Sequence, residues 1–286
     1  MQVTVHAPAK INLTLDIVGT REDGYHLLES IFQSVSVYDT VVAEKAESIT
    51  LDAPACDCPV EKNTAYKAAV AFFKATGIEG GVTLTLHKRI PTQAGMGGGS
   101  ADAAGVLVAL NALYETHLSK ERLCEIGLTV GADVPFCVMG GTAYVTGIGE
   151  GLQPLPPLPE CCIVIAQPQE GISTKEAYAA VDNAVILDRP DNQSAIAYLF
   201  VGDLEGVCAQ AVNVFEVASE LAGVKDIRRR MEAFSPLCSQ MTGSGSCVFA
   251  IFDSRESAGA CLADLKKDYP TATICQPCAG VVVEKE

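Results

Sequence analysis

Apolar and polar positions alternate from the beginning of the chain. In "VTVHAPAKINLTLDIVG", Ile11, Leu13, Leu15 and Ile17 fall on one side, and Lys10, Asn12, Thr14 and Asp16 on the other. A period of two predicts a half-buried strand, with Lys10 and Asn12 projecting side by side from its polar face. "GTREDGYH" (19–26) reads as a turn, and "SIFQSVSVYDTVVAEKA" as further strand. The spacing then lengthens. "EKNTAYKAAVAFFKATG" predicts an amphipathic helix, with Asn63 or Thr64 as its N-cap and Gly77 just past its end. "GVTLTLHKRIP" reads as a strand ending at Pro91. Beyond a glycine-rich loop, Ser100 or Asp102 opens an alanine-rich helix reaching about Leu113, and Ser119 caps the helix of "SKERLCEIGLTVG".

The stretch "GLQPLPPLPE" separates this half from the rest and is the best boundary. Beyond it, "CCIVIAQP", "SCVFAIF" and "TATICQP" read as strands. The region from "STKEAYAAV" through "IRRRMEAF" reads as mostly helical, and "SRESAGACLADLKKDY" as a helix. The pattern predicts an α+β protein of two domains, residues 1–155 and 156–286, with the active site in the cleft between them.

Composition narrows the function classes. The chain has 286 residues and is 49% apolar, enough for a sizeable core. There is no apolar run near the length of a membrane span and no basic, hydrophobic leader, which predicts a cytoplasmic protein with no membrane partner. The formal charge of −15 argues against nucleic acid as a partner, and Arg228-Arg229-Arg230 reads as a solvated helix face. Any polyanionic small ligand must therefore be held by local devices, such as helix N-termini, a few cations or a metal. Cys56-x-Cys58 and Cys275-x2-Cys278 raise the idea of a zinc site. The first gap is tight and no histidine stands near either pair, so the 12 cysteines read mainly as reduced thiols, many of them buried.

The segment "PTQAGMGGGSADAAGVLVALNAL", from Pro91, places Gly95, Gly97, Gly98 and Gly99 within five positions. Each ordered glycine costs roughly 0.5–1 kcal/mol relative to alanine, so the cluster needs a reason. A linker does not fit, because strand and helix signals abut it on both sides. A tight turn is possible. A loop that brings backbone N–H groups and a helix N-terminus up to a phosphate accounts for all four glycines. No lysine follows Gly99, so this is not a Walker loop, and the third glycine of a dinucleotide fingerprint is missing.

"PTQAGMGGGSADAA" resembles the second motif of the GHMP kinases, the group of galactokinase, homoserine, mevalonate and phosphomevalonate kinases, with Met96 at the commoner leucine position. "PAKINLTLDIVGTREDGYH" resembles their first motif, and "MTGSGSCVFAIF", from Met241, their third. The resemblance implies a two-domain GHMP kinase fold, with a ribosomal protein S5 domain 2-like N-terminal domain and a ferredoxin-like C-terminal domain. It also implies phosphoryl transfer from ATP, with Mg²⁺, to an alcohol. "KINLTLDIVGTREDGYH" and "VGADVPFCVMGGTAYVTGIGE" are similar to the branch whose acceptor is the 2-hydroxyl of 4-diphosphocytidyl-2-C-methyl-D-erythritol, on the non-mevalonate route to isoprenoids.

Residue roles follow from that resemblance. Asp133 would be the base, with Lys10 as its electrostatic partner polarising the hydroxyl and the transferring phosphoryl group. Read without the family, Asp133 is an N-cap and Lys10 a solvated lysine. Asn63 and Thr64 would lie at the adenine, and Pro91, Gly95, Met96, Gly97, Gly98, Gly99 and Ser100 around the phosphates, with the Ser100 hydroxyl near phosphate or Mg²⁺. Asn12 would bond the methylerythritol end of the acceptor, and Tyr25, His26 and Tyr178 would hold its cytosine. Thr174 would lie near the same ligand, and Gly243 of the third motif would shape the cleft; helix and turn roles compete for Tyr178 and Gly243. No metal-ligand residue is assigned. Rival readings are a kinase for homoserine or mevalonate, against which Tyr25-His26 count, and a silent metabolite sensor on the same fold.

Overall fold

The computed structural model describes residues 2–56, 58–218 and 221–285. Two long strands, β1 (Gln2–Thr20) and β2 (His26–Ala46), pair antiparallel around the predicted turn. Then follow β3 (Thr50–Asp52), α1 (Thr64–Thr76), β4 (Gly81–His87), α2 (Gly98–Leu113), α3 (Lys120–Leu128), α4 (Val134–Met139), β5 (Thr142–Gly147) and β6 (Gly151–Leu155). The second half contributes β7 (Cys162–Ala166), α5 (Thr174–Asp182), α6 (Asn192–Val201), α7 (Leu204–Ala209), α8 (Ala222–Glu232), β8 (Cys238–Met241), β9 (Val248–Phe252), α9 (Arg255–Leu265), β10 (Thr273–Cys275) and β11 (Val282–Lys285).

Seven strands form the first sheet, in the order β11-β1-β2-β4-β3, with β5 beside the start of β2 and β6 beside β5. The proline-rich stretch thus begins as an edge strand. Pro154 is tolerated there because β6 pairs on one side only. The second sheet runs β10-β7-β9-β8, antiparallel throughout, which is the strand order of a ferredoxin-like split βαβ unit. After β10 the chain returns to the first sheet, where β11 pairs with β1.

The alternation in β1 puts Ile11, Leu13, Leu15 and Ile17 in the core, as expected. Its polar face is not half-exposed, however. Lys10, Asn12, Thr14 and Asp16 are buried as well. The cover comes from far along the chain: Gln240 donates to the carbonyls of Asn12 and Leu13, Thr14 donates to Asn192, and Arg189 pairs with Asp16. A strand that is polar on one side is thereby sandwiched between the two halves of the molecule.

Two boundaries differ from the sequence reading, and one surface feature adds to it. β4 stops at His87, because the backbone N–H groups of Arg89 and Ile90 turn to the Asp39 carboxylate. Helix α2 begins at Gly98 and not at Ser100 or Asp102; its N-cap, Gly97, takes a left-handed conformation (φ +70°) that does without a capping side chain. The Arg228–Arg230 run lies on the outer face of α8, with Arg228 and Arg229 in solvent and Arg230 mostly covered, and all three are ion-paired. Arg228 pairs with Glu216 and Glu232, Arg229 with Asp226, and Arg230 with Asp264 and Asp268. Among the described residues, seven cysteines are buried free thiols, no three His, Cys, Asp or Glu side chains gather as a metal cage, and no helix is long and apolar enough to cross a membrane.

Candidate active site

The glycine loop and α2 build one wall of the site. The first intrahelical bond of α2 runs from the Ala101 N–H to the Gly97 carbonyl, 2.8 Å, which leaves the N–H groups of Gly98, Gly99 and Ser100 without helical partners. These groups sit at the positive end of a 16-residue helix and form a receptor for an anion. Thr64, Pro91 and Gly95 through Ser100 line a groove of about 320 Å³. The Thr64 hydroxyl donates to the Gly99 carbonyl at 2.6 Å and ties α1 to the loop. Asn63 is buried outside that lining, and its side-chain oxygen caps α1 through the Ala65 N–H, 2.9 Å.

On the other side of the loop, the Lys10 N–H donates to the Met96 carbonyl at 3.0 Å. Its side chain runs past Gly97, where a Cβ would stand 3.1 Å from the Lys10 Cγ. Lys10 is 5% exposed, which rules out a solvated lysine. Its Nζ lies 2.8 Å from Asn12 Oδ1, 3.7 Å from Asp133 Oδ2 and 4.6 Å from the centre of the Phe32 ring. Asp133 occupies the N-cap position of α4, yet its side chain makes no capping hydrogen bond. The carboxylate lines a cavity of about 410 Å³ shared with Lys10, Gly95, Gly97 and Ser100. A buried ammonium, a partly exposed carboxylate and an anion receptor therefore meet in one space.

Asn12 holds this space together. Its Oδ1 accepts from Lys10 Nζ, from the Gly243 N–H at 3.0 Å and from the Thr242 hydroxyl at 3.2 Å, while its amide donates to Ser30 at 2.9 Å. The third motif packs directly on the glycine loop. A Cβ on Gly95 would stand 2.1 Å from the Thr242 carbonyl oxygen, so the contact requires glycine there. Gly243 lines the Lys10–Asp133 cavity.

At the far end of the cavity, Tyr178 stands edge-on to Phe215 (4.9 Å) and stacks on His26, with ring centres 4.5 Å apart at 27°. His26 Nε2 lies 2.7 Å from Asp182. Burial, with the Asp133 charge added, raises the Tyr178 hydroxyl's pKa. Thr174 lines the cavity, with its hydroxyl 3.3 Å from that of Ser244. Tyr25 does not join them: it is 61% exposed on the turn after β1, outside the lining.

Three residues meet beneath the loop, of which the sequence marks only Asp102, and that as a helix start. Lys88 sits between Asp39 and Asp102, in contact with Asp39 Oδ2 and 2.5 Å from Asp102 Oδ2. Burial lifts the Asp102 carboxyl above the usual range, against the pull of Lys88. Burial works against the Lys88 ammonium too, but the two carboxylates outweigh it and raise its pKa. Phe32, beneath Lys10, is equally unmarked, one more apolar position in a strand.

Comparison with known proteins agrees with this arrangement. Residues 63–141 match the GHMP kinases N terminal domain, and residues 198–271 the GHMP kinases C terminal domain. A 4-diphosphocytidyl-2-C-methyl-D-erythritol kinase of Clostridium tetani is 40% identical over 93% of this chain and 96% of its own. One of Carboxydothermus hydrogenoformans is 43% identical over 89% of this chain and 90% of its own. A crystal structure of a 4-(cytidine 5'-diphospho)-2C-methyl-D-erythritol kinase superposes with a TM-score of 0.82 at 34% identity, covering 96% of this chain and 98% of that one. A homoserine kinase of Cytophaga hutchinsonii shares the fold at 21% identity, with a TM-score of 0.78 over 99% and 97% of the two chains. With its three motifs gathered around one cavity and relatives matched over nearly their whole length, the chain belongs to the GHMP kinase family, among the 4-diphosphocytidyl-2-C-methyl-D-erythritol kinases.

Proposed function

We propose that this protein transfers the γ-phosphoryl group of Mg·ATP to the 2-hydroxyl of 4-diphosphocytidyl-2-C-methyl-D-erythritol, with Asp133 as the base and Lys10 as its electrostatic partner. The observation that carries this reading is the Lys10–Asp133 pair, 3.7 Å apart in the cavity that also receives the N-terminal turn of α2. ATP lies with its phosphates against the N–H groups of Gly98, Gly99 and Ser100, and with its adenine toward Asn63 and Thr64. Among the described residues Asp133 is the one carboxylate in the cavity wall, so a magnesium ion that enters with the nucleotide would rest mainly on the phosphates, with the Ser100 hydroxyl at its side. When bound, it would supply neutralisation of charge on the phosphoryl oxygens.

Asp133 takes the proton of the acceptor hydroxyl as the hydroxyl oxygen attacks the γ-phosphorus, the bond to ADP breaks, and the proton remains on the carboxylate. Lys10 offsets the charge that develops on both the acceptor oxygen and the phosphoryl group. Asn12, whose Oδ1 accepts from Lys10, Thr242 and Gly243 and which lines the cavity, orients the Lys10 ammonium and offers its amide side to the methylerythritol end of the acceptor. The cytosine takes the Tyr178 face now covered by His26; that imidazole turns to the base edge, and Tyr25 folds over from the turn. Thr174 and Gly243 flank the acceptor between the base and the reacting hydroxyl. The chain divides functionally near residue 155, and we place its work in the cytoplasm, where its thiols stay reduced.

Asp133→Asn tests the assignment. It preserves size and removes the base, so kcat should fall by about a hundredfold or more, with acceptor affinity nearly unchanged. Near-normal turnover would overturn the role of Asp133.

A further inference from the structure

Beneath the phosphate loop, a buried ion triad joins the two ends of the loop to the sheet; it stands outside the Lys10–Asp133 cavity, and its lysine, Lys88, also reaches the wall of the phosphate groove and the Gly98 carbonyl, 3.5 Å away. On the entry side, Asp39 of β2 accepts the N–H groups of Arg89 (2.5 Å) and Ile90 (2.8 Å) through Oδ1. On the exit side, Asp102 lies in the second turn of α2, and Lys88 bridges the two carboxylates. The Lys88 side chain is 8% exposed, that of Asp39 0% and that of Asp102 3%. Burying three charges in this way is weak grounds for stability, since desolvation cancels much of the attraction, and fixing a single arrangement is the better-attested use. The arrangement fixed here is a glycine-rich loop that has few side chains of its own to hold its shape.

We propose that Lys88 is a positioning residue for the nucleotide: by clasping Asp39 and Asp102 it holds both flanks of the glycine loop, so that the N–H groups of Gly98, Gly99 and Ser100 converge on the phosphates. Asp102 supplies the helix-side anchor through a single oxygen, for its Oδ1 is buried without a hydrogen-bond partner. The proposal rests on the kinase reading above and adds to it a device that governs ATP affinity and leaves the chemistry alone.

The test uses the full chain, with ATP affinity measured by calorimetry and both substrates by steady-state kinetics. Lys88→Met should weaken ATP about tenfold or more, the scale of a lost charge-assisted bond, while acceptor KM and kcat at saturating ATP stay within about threefold. Asp102→Ala and Asp102→Asn guard against a misfolded lysine variant. Above pH 7 both remove the same charge, but only Asn keeps an oxygen for Lys88. Alanine should weaken ATP by roughly fivefold or more, and asparagine by less than about twofold. Equal affinities in those two variants would overturn the proposal. So would a fall in kcat with both KM values unchanged, the signature of lost folded protein. If the wild-type chain bound no ATP at all, the kinase reading would fail first and this inference with it.

Discussion

The Asn12→Ala substitution separates two jobs that one residue could hold. The native Asn12 Oδ1 takes three donors and its amide serves a fourth group. Truncation does not orphan them all. The Thr242 hydroxyl still accepts from the Asn12 backbone N–H, 2.9 Å, and the Ser30 hydroxyl still donates to the Thr14 carbonyl. The Gly243 N–H, the Lys10 ammonium and the proton of the buried Thr242 hydroxyl lose their acceptor. An orphaned buried donor costs about 1–3 kcal/mol, more when charged, and Asp133 at 3.7 Å offers Lys10 only partial relief. The expected loss is therefore about 2–5 kcal/mol, or a melting temperature lower by about 5–15 °C for a chain of this size. Lys10, no longer anchored, should lose its aim, so kcat should fall at least about tenfold with acceptor KM within about threefold. Asn12→Asp keeps the accepting oxygens and should recover much of the stability. Thermal unfolding and ADP-release kinetics on the same preparations provide the check. A variant with native melting and native kcat, but an acceptor KM raised tenfold, would refute this reasoning and make Asn12 an acceptor ligand alone.

Two further outcomes follow from the same geometry. Gly95→Ala adds a Cβ only 2.1 Å from the Thr242 carbonyl at a φ of +72°. Neither backbone can yield cheaply, so stability should drop by about 2 kcal/mol or more, and unfolding curves that overlay the wild type would contradict the close packing of the two motifs. Burial raises the Asp102 carboxyl from 3.8 to about 7 despite Lys88, so in that window the folded chain keeps a proton that the unfolded chain releases. Stability should thus decline as pH rises from about 4 to about 7. Asp102→Asn removes that contribution, and melting curves across the same range should show a shallower decline; an unchanged slope would place the titration elsewhere.

Local pattern carried the sequence reading a long way, and its limits are physical. The period of two in β1 put Lys10 and Asn12 on a common face, and the glycine cluster marked an anion receptor at a helix N-terminus; both are properties of neighbouring residues. The burial of that polar face is not local, because its cover comes from Asn192, Arg189 and Gln240, which lie 173–228 positions away. For the same reason the sequence gives no sign that the Asn12 oxygen accepts from Gly243 and Thr242, at the other end of the chain, while the residue still lines the cavity. The Lys88 triad draws single residues from positions 39, 88 and 102, and no spacing rule links a strand, a loop and a helix in that way. Tyr25 and His26 are adjacent in sequence but diverge at a turn, which puts one ring in solvent and the other against Tyr178.

The central claim is the pairing of a phosphate-binding loop with a cytidine-bearing acceptor, and a coupled ADP-release assay tests it most directly. Mg·ATP would be supplied with 4-diphosphocytidyl-2-C-methyl-D-erythritol, homoserine, mevalonate and galactose in turn. The account predicts turnover with the cytidyl compound alone. Turnover with one of the other alcohols in its place, or silence across the panel while ATP still binds, would contradict it.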